Sequence, residues 1–174
     1  VDESGFLLIP NVRRTWAPRG QPPVLTHPFR HWERLSVAVA VAFRWDGRRS
    51  RLCFQTRPGP YTAGALIGFL RQLKRHFRGR RVILLWDRLP AHRSRRMRAY
   101  LAQQRRWLTV EPLPAYAPDL NPAEPLFGHV KGGELAKHCG ELPMLAAALR
   151  TGMVRIRRDR DLAFAFLRHA GLSL

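Results

Sequence analysis

Acidic residues are scarce in this chain: 12 Asp+Glu stand against 31 Lys+Arg in 174 residues. The resulting net charge of +19 and pI near 11.8 bear on partners rather than on fold. A basic field of this size favours nucleic acid or an anionic membrane surface. Long apolar runs are also missing. None approaches the roughly 20 residues needed to span a bilayer, and the start shows no signal peptide or lipidation pattern. Nucleic acid is therefore the better partner. Cysteine is nearly absent: the spacing of Cys53 and Cys139 excludes both a disulfide framework and a CxxC zinc pair. Cys53 lies in a strand-like run and reads as a small buried hydrophobe. Nothing demands an oxidising compartment, so a cytoplasmic, nucleoid-associated location is expected. Internal repeats and low-complexity linkers are lacking as well. Lysine is rare, since all but three of the basic residues are arginine; coding bias and a merely soluble surface are the plain alternative reading of that charge.

What is present supports a folded domain. Hydrophobic content of 45% suits a packed core, and a chain of this length fits one domain that buries roughly 70% of its unfolded surface. Asp2–Ile9 reads as a strand, and residues 10–31, with five prolines, as an extended excursion. Arg34–Trp45 contains the long β-rich run LSVAVAVAFRW. Asp46-Gly47 is a hairpin signal, and Ser50–Thr56 is the returning strand. From Thr62 to Phe77 the apolar residues Leu66, Phe69, Leu70 and Leu73 take helical spacing, with Thr62 as N-cap. RVILLW at 81–86 is a continuous apolar run, expected of a strand buried on both faces. Ser94–Gln104 reads as helix with Met97, Tyr100 and Leu101 inward, and Trp107–Leu113 as strand. Asn121 caps a helix with Pro122 at its first position. Two further helices follow, one carrying Leu142, Leu145, Leu149, Met153 and Ile156 in register, the other at Leu162–Ala170. A hairpin meander followed by alternating helix and strand predicts an α/β fold, a mixed sheet flanked by helices.

Acids are few, so their placement is informative. Asp87 closes the RVILLW strand, where open α/β sheets gather ligands. Glu124 stands at the start of a helix after 36 intervening residues, and Asp2 opens the chain beside an apolar run. Magnesium takes oxygen ligands and usually only a few carboxylates, leaving room for water and phosphate. Two such ions activate an attacking oxygen and stabilise a leaving one. Asp2, Asp87 and Glu124, on three separate elements, suit that chemistry. Each has a plainer reading. Asp2 is a solvated terminal residue, Asp87 a turn cap, and Glu124, at the third helical position, one half of a capping box. Asp119 is a rival acid, expected to bond backbone amides in its Pro-rich turn.

The stretches VDESGFLLIP (1–10), TWAPRGQPPVL (15–25), VILLWDRLPAHRS (82–94) and LPAYAPDLNPAEPLFGHVK (113–131) resemble the DDE-type transposases, specifically the bacterial insertion-sequence branch of the mariner-like superfamily. The resemblance implies an RNase H-like catalytic domain over residues 1–174, with 141–174 as its C-terminal helical extension. It implies Mg²⁺ or Mn²⁺ as cofactor, two ions, with Asp2 bridging them and Asp87 and Glu124 each completing one site. The implied reaction is hydrolysis of DNA phosphodiesters at transposon ends, followed by strand transfer by the freed 3′-hydroxyl. Many relatives carry Asn directly after the second acid, where this chain has Arg88. Relatives also carry an N-terminal helix-turn-helix region that is not in this sequence, and the start at Val1 reads as a fragment. His92 and His129 lie near two of the acids in sequence; contact with phosphate or a ligand and a structural role both stay open.

The implied partner is double-stranded DNA, transposon ends and target, with a homodimer in the transposition complex as a possible assembly. Residues 71–106 hold 13 Lys+Arg and one acid, Asp87. Arg93, Arg95, Arg96 and Arg98 begin the helix after Asp87 and are candidate phosphate contacts, as are Lys131 and, in the Pro-rich excursion, Trp16 and Arg19. Arg155, Arg157, Arg158 and Arg160 suit DNA or another subunit. Two other readings remain open: an inactive, truncated DNA-binding remnant, and another RNase H-like nuclease such as a junction resolvase. The PDLNPAE core at 118–124 argues against the latter.

Overall fold

A computed structural model describes residues 1–8, 17–21, 34–114, 117–133 and 141–174. Trp16, Cys139 and most of the proline-rich excursion lie outside them. Strand β1 (Asp2–Leu7) pairs antiparallel with β2 (Arg34–Phe43), and β2 pairs antiparallel with β3 (Ser50–Pro58). The expected Asp46-Gly47 turn joins β2 to β3. Gly47 adopts φ +65, a left-handed conformation that glycine takes without a Cβ clash, and Asp46 Oδ1 accepts from the Arg48 N–H at 3.0 Å.

Helix α1 (Ala63–His76) starts where the sequence predicts: Thr62 Oγ1 accepts from the Ala65 N–H at 3.3 Å. Strand β4 (Val82–Trp86), α2 (Arg95–Ala102) and β5 (Leu108–Pro112) follow, with β4 and β5 parallel, as a helical crossover requires. The two sheets meet where the Val1 nitrogen donates to the Leu85 carbonyl at 2.7 Å. This bond brings the start of β1 beside the end of β4. A short 3₁₀ turn (Pro118–Leu120) leads into α3 (Ala123–Gly132), then α4 (Leu142–Arg158) and α5 (Arg160–His169).

Strand alternation sends side chains to both faces of the sheet, and each face has its own core. Phe6, Val37, Val39 and Leu52 meet Leu126, Leu149 and Met153 of α3 and α4 on one side. Ala38 and Ala40 join Leu66, Phe69, Leu70, Leu84, Trp86 and Met97 on the other. The result is the helix-flanked α/β architecture expected, with its strands in two adjoining sheets, β1-β2-β3 antiparallel and β4-β5 parallel. One expectation fails. β4 is not buried on both faces: Leu84 and Trp86 are covered, but Ile83 and Leu85 are 69% and 42% exposed. Helices α3 to α5 pack against β1, β2 and β3, so the β4 residues on their side of the sheet stay open to solvent. Among the described residues, no helix is long and apolar enough to cross a membrane.

Leu149 is fully buried where α4 packs on the three-stranded sheet, within the first core. Leu149→Ala should cost about 2–5 kcal/mol, read as a lower urea midpoint at unchanged slope. Met144→Ala, at a half-exposed position of the same helix, should stay within about 0.5 kcal/mol of the parent chain.

Candidate active site

Asp2 shares its strand face with Phe6 and Leu8, and all three are buried. It is therefore not a solvated terminal residue. Its Oδ2 accepts from Asn121 Nδ2 at 2.8 Å, and its Oδ1 from the Glu3 N–H at 2.7 Å. Asn121 Oδ1 in turn accepts from the Ala123 N–H at 3.1 Å. Helix α3 begins at Ala123 with Pro122 as its cap, one residue later than the sequence suggests, so Asn121 stands just before the cap, bonds the first helical N–H and ties the first acid to that helix. Burial, reinforced by the neighbouring Glu3 and Glu124 carboxylates, pushes the Asp2 carboxyl up to about 6.

Glu124 lies in the first turn of α3, exposed, and close enough for its charge to act on Asp2. The capping box expected of it does not form. The Asn121 N–H bonds the Pro118 carbonyl instead, at 2.9 Å, because the preceding 3₁₀ turn already supplies an acceptor. The Glu124 side chain lines a cleft of about 400 Å³ with Pro118, Asp119, Pro125 and His169. Asp119 is exposed there, and the bonds to backbone amides expected of it are absent among the described residues.

Asp87 follows the last residue of β4. Its Oδ1 accepts twice, from the Leu89 N–H at 3.0 Å, as a turn cap does, and from His92 Nδ1 at 2.7 Å. His92 is buried, its ring stacked on Trp86 at 3.9 Å with planes 6° apart. Its Nε2 faces Glu3 Oε2 at 3.1 Å. Sequence reasoning does not single out Glu3; its one signal is its place beside Asp2, on the opposite face of β1. Burial alone would lower the His92 pKa, but Asp87 and Glu3 outweigh it and push the imidazole up to about 9. Burial alone would raise Asp87, and the bonds from His92 and Leu89 hold it below the usual carboxylate value.

Asp2 is thus within electrostatic reach of Glu124, and the start of its strand adjoins the β4 end that Asp87 follows, but the three acids do not form a ready-made cage. Among the described residues, no three His, Cys, Asp or Glu side chains converge tightly enough to hold a metal ion by themselves. The donor set still fits a hard divalent cation. Asp2, a buried carboxylate with a raised pKa, lies within electrostatic reach of Glu3 and Glu124, the candidate donors are all oxygens, and Mg²⁺ is ordinarily held by one or two carboxylates together with substrate phosphate and water.

Arg93, Arg95, Arg96 and Arg98 are exposed on and just before α2, as are Arg88 and Arg19. Lys131 is half-buried, its Nζ 5.3 Å from the Phe6 ring centroid. His129 is exposed and packs edge-on against Phe166. A larger groove, of about 680 Å³, runs beside β3, lined by Arg49, Arg51, Cys53, His76 and Arg157 among others; no carboxylate lines it, and none of the three acids is in it. Cys53 is only partly buried there.

The sign of the His92 shift sets a pH dependence. A raised pKa means that the paired imidazolium contributes its full stability below the ordinary value of 6.5 and loses it as pH rises through about 9. Asp2, raised from 3.8 to about 6, acts in a lower window, withdrawing stability as pH climbs between those values. In metal-free buffer the His92 contribution to the melting temperature should therefore fall between pH 6.5 and 9.5, set against an opposite contribution from the Val1 amine, whose pKa burial lowers from 8.0. His92→Gln should remove that fall and leave the acidic part of the curve in place.

The sequence profile of the family described as DDE superfamily endonuclease matches residues 1–138. No curated protein sequence matches the chain significantly. Among solved structures, the Mos1 mariner paired-end complex with Mn aligns with 98% of this chain and 50% of its own, at 21% identity and a TM-score of 0.67. The Mos1 strand transfer complex aligns with 97% and 49%, at 23% identity and a TM-score of 0.67. The Mos1 transposase catalytic domain with raltegravir and Mg aligns with 80% and 69%, at 19% identity and a TM-score of 0.56. The chain spans about half the length of the two complexes' chains, and the likeness establishes an RNase H-like fold of the kind seen in that catalytic domain. With the profile covering most of the sequence, the chain belongs to the DDE superfamily of endonucleases.

Proposed function

We propose that this chain is the catalytic domain of a transposase, cleaving DNA phosphodiesters at transposon ends and joining the freed 3′ end to a target. The observation that carries the reading is the burial of Asp2 at the junction of β1 and β4, within electrostatic reach of Glu124 and beside the strand end that bears Asp87. Burial pushes the Asp2 carboxyl up, a cost to its ionised form that a bound cation would relieve. Divalent metal supports the same reading, since the Mos1 transposase catalytic domain has been solved with Mg and with Mn. In this reading Asp2, Asp87 and Glu124 hold Mg²⁺ or Mn²⁺. The bound metal supplies Lewis acidity at phosphorus and lowers the pKa of an attacking water.

The chain's own residues do the rest. Asn121 fixes the Asp2 carboxylate against α3, and each Asp2 oxygen, with one bond made, keeps acceptor capacity for a ligand. The Asp87 Oδ2 is likewise left for a ligand, because both of its side-chain bonds fall on Oδ1. The arginines of α2 attract the phosphate backbone. The partner is double-stranded DNA, transposon ends and target, in a cytoplasmic, nucleoid-associated setting, with a homodimer as the assembly that pairs two ends. An inactive remnant would follow if Asp2 were displaced from the site. Its pairing with Val39 and its bond from Asn121 argue for the active reading.

The test is Mg²⁺-dependent nicking of a duplex carrying the cognate end. Asp87→Asn should lower the rate by roughly 10³-fold or more, several kcal/mol of barrier, at unchanged folding; nicking at the parental rate would reject the site. DNA binding should weaken steeply with salt. Replacing Arg95, Arg96 and Arg98 with Ala should reduce the log–log salt slope by about 0.9 for each phosphate that is no longer neutralised.

A further inference from the structure

From the geometry around β4 we infer that His92 is a positioning residue of the active site: it fixes the Asp87 carboxylate for metal by clamping it to Glu3. The inference rests on the reading of Asp87 as a metal ligand and assigns a task to two residues outside that ligand set.

Four observations converge. The His92 ring is buried, with its side chain 1% exposed, and lies flat on Trp86. The ring plane is therefore fixed by packing before any hydrogen bond forms. In that plane Nδ1 reaches Asp87 Oδ1 at 2.7 Å, and the Asp87 backbone carbonyl lies 3.2 Å from the same nitrogen. At the opposite corner Nε2 reaches Glu3 Oε2 at 3.1 Å. A carboxylate can only accept, so each nitrogen donates to its partner. Finally, Glu3 stands next to Asp2 in β1 but points to the other face of the sheet. The clamp thus joins the strand that bears the first acid to the strand end that bears the second.

The consequence for Asp87 is geometric. Alone, a carboxylate at a strand end rotates about its last torsion, and either oxygen can turn outward. Here Oδ1 is held by His92 and by the Leu89 N–H, so Oδ2 is the oxygen presented for ligation. Partners of this kind, bonded to a ligating carboxylate, typically affect metal affinity by about 10- to 100-fold when removed. A purely structural histidine at the same place would stabilise the fold and leave metal affinity alone.

The two roles separate experimentally because Asn and Gln each copy one ring nitrogen. Asn reaches from the backbone about as far as Nδ1 and Gln about as far as Nε2. His92→Asn retains a donor towards Asp87; His92→Gln retains one only towards Glu3. Mn²⁺ binding to the DNA-free chain would be followed by electron paramagnetic resonance, with thermal melting on the same samples. The inference expects Mn²⁺ affinity about 10- to 100-fold lower in His92→Gln and close to parental in His92→Asn, although both variants melt earlier. Equal affinity in the two variants and the parent overturns it, as does rescue by Gln but not by Asn. Asp87→Asn separates this failure from that of the functional reading. If Asp87→Asn keeps the parent's Mn²⁺ affinity, or the parent binds no Mn²⁺, the assigned acids are wrong and the clamp's role falls with them. If Asp87→Asn loses Mn²⁺ and the His92 variants do not, only the positioning role is lost.

Discussion

A carboxylate buried at the junction of two sheets is the constraint to which the surrounding structure answers. Asp2 is 6% exposed and feels both Glu3 and Glu124. Burying an ionised carboxylate without partners is costly enough that the group would rather take up a proton, and its raised pKa records that tendency. The chain moderates the cost locally. Asn121 donates to one oxygen, the Glu3 amide to the other, and the imidazole of His92 answers the charge of Glu3 from behind the strand. What is left over is a demand for positive charge at that end of the sheet.

The fold supplies the geometry for this arrangement. Antiparallel pairing of β1 with β2, and of β2 with β3, builds a platform, and the parallel β4–β5 unit is set against it where the Val1 nitrogen meets the Leu85 carbonyl. The start of β1, which carries Asp2, is thereby set beside the β4 end that Asp87 follows. The two helical layers do different work. α3 to α5 deliver Glu124 and Asn121 and bury the Asp2 face, whereas α1 and α2 bury the face that carries Glu3, Trp86 and His92. The adjoining sheets therefore carry Asp2 on one face, while Glu3 and His92 brace Asp87 from the other.

Much of this is legible in the sequence, and the exceptions have physical causes. The hairpin follows from alternation around Asp46-Gly47, α1 from its 3.6-residue spacing and Thr62, and the three acids from their positions at element ends. The burial of β4 does not follow, because an apolar run states that a strand tolerates cover, not that cover exists; Ile83 and Leu85 have no helix over them. Glu124 has the spacing of a capping-box partner, and only the 3₁₀ turn, whose Pro118 carbonyl takes the Asn121 N–H, frees it. The Glu3–His92 contact spans 89 positions. No local pattern encodes it, although a His five residues after an acid and a second acid beside Asp2 are in plain view. Trp16 lies outside the described residues, so its expected role finds no structural counterpart here.

Within the DDE superfamily of endonucleases, everything proposed for this chain stands on where divalent metal binds. The most direct measurement is an anomalous difference map from crystals of the chain grown with Mn²⁺ and a DNA duplex. Manganese peaks are predicted at coordinating distance, about 2.1 Å, from carboxylate oxygens of Asp2, Asp87 and Glu124, with Asp87 contributing Oδ2. Manganese bound elsewhere, or coordinated through the Asp87 oxygen that His92 holds, would contradict that assignment.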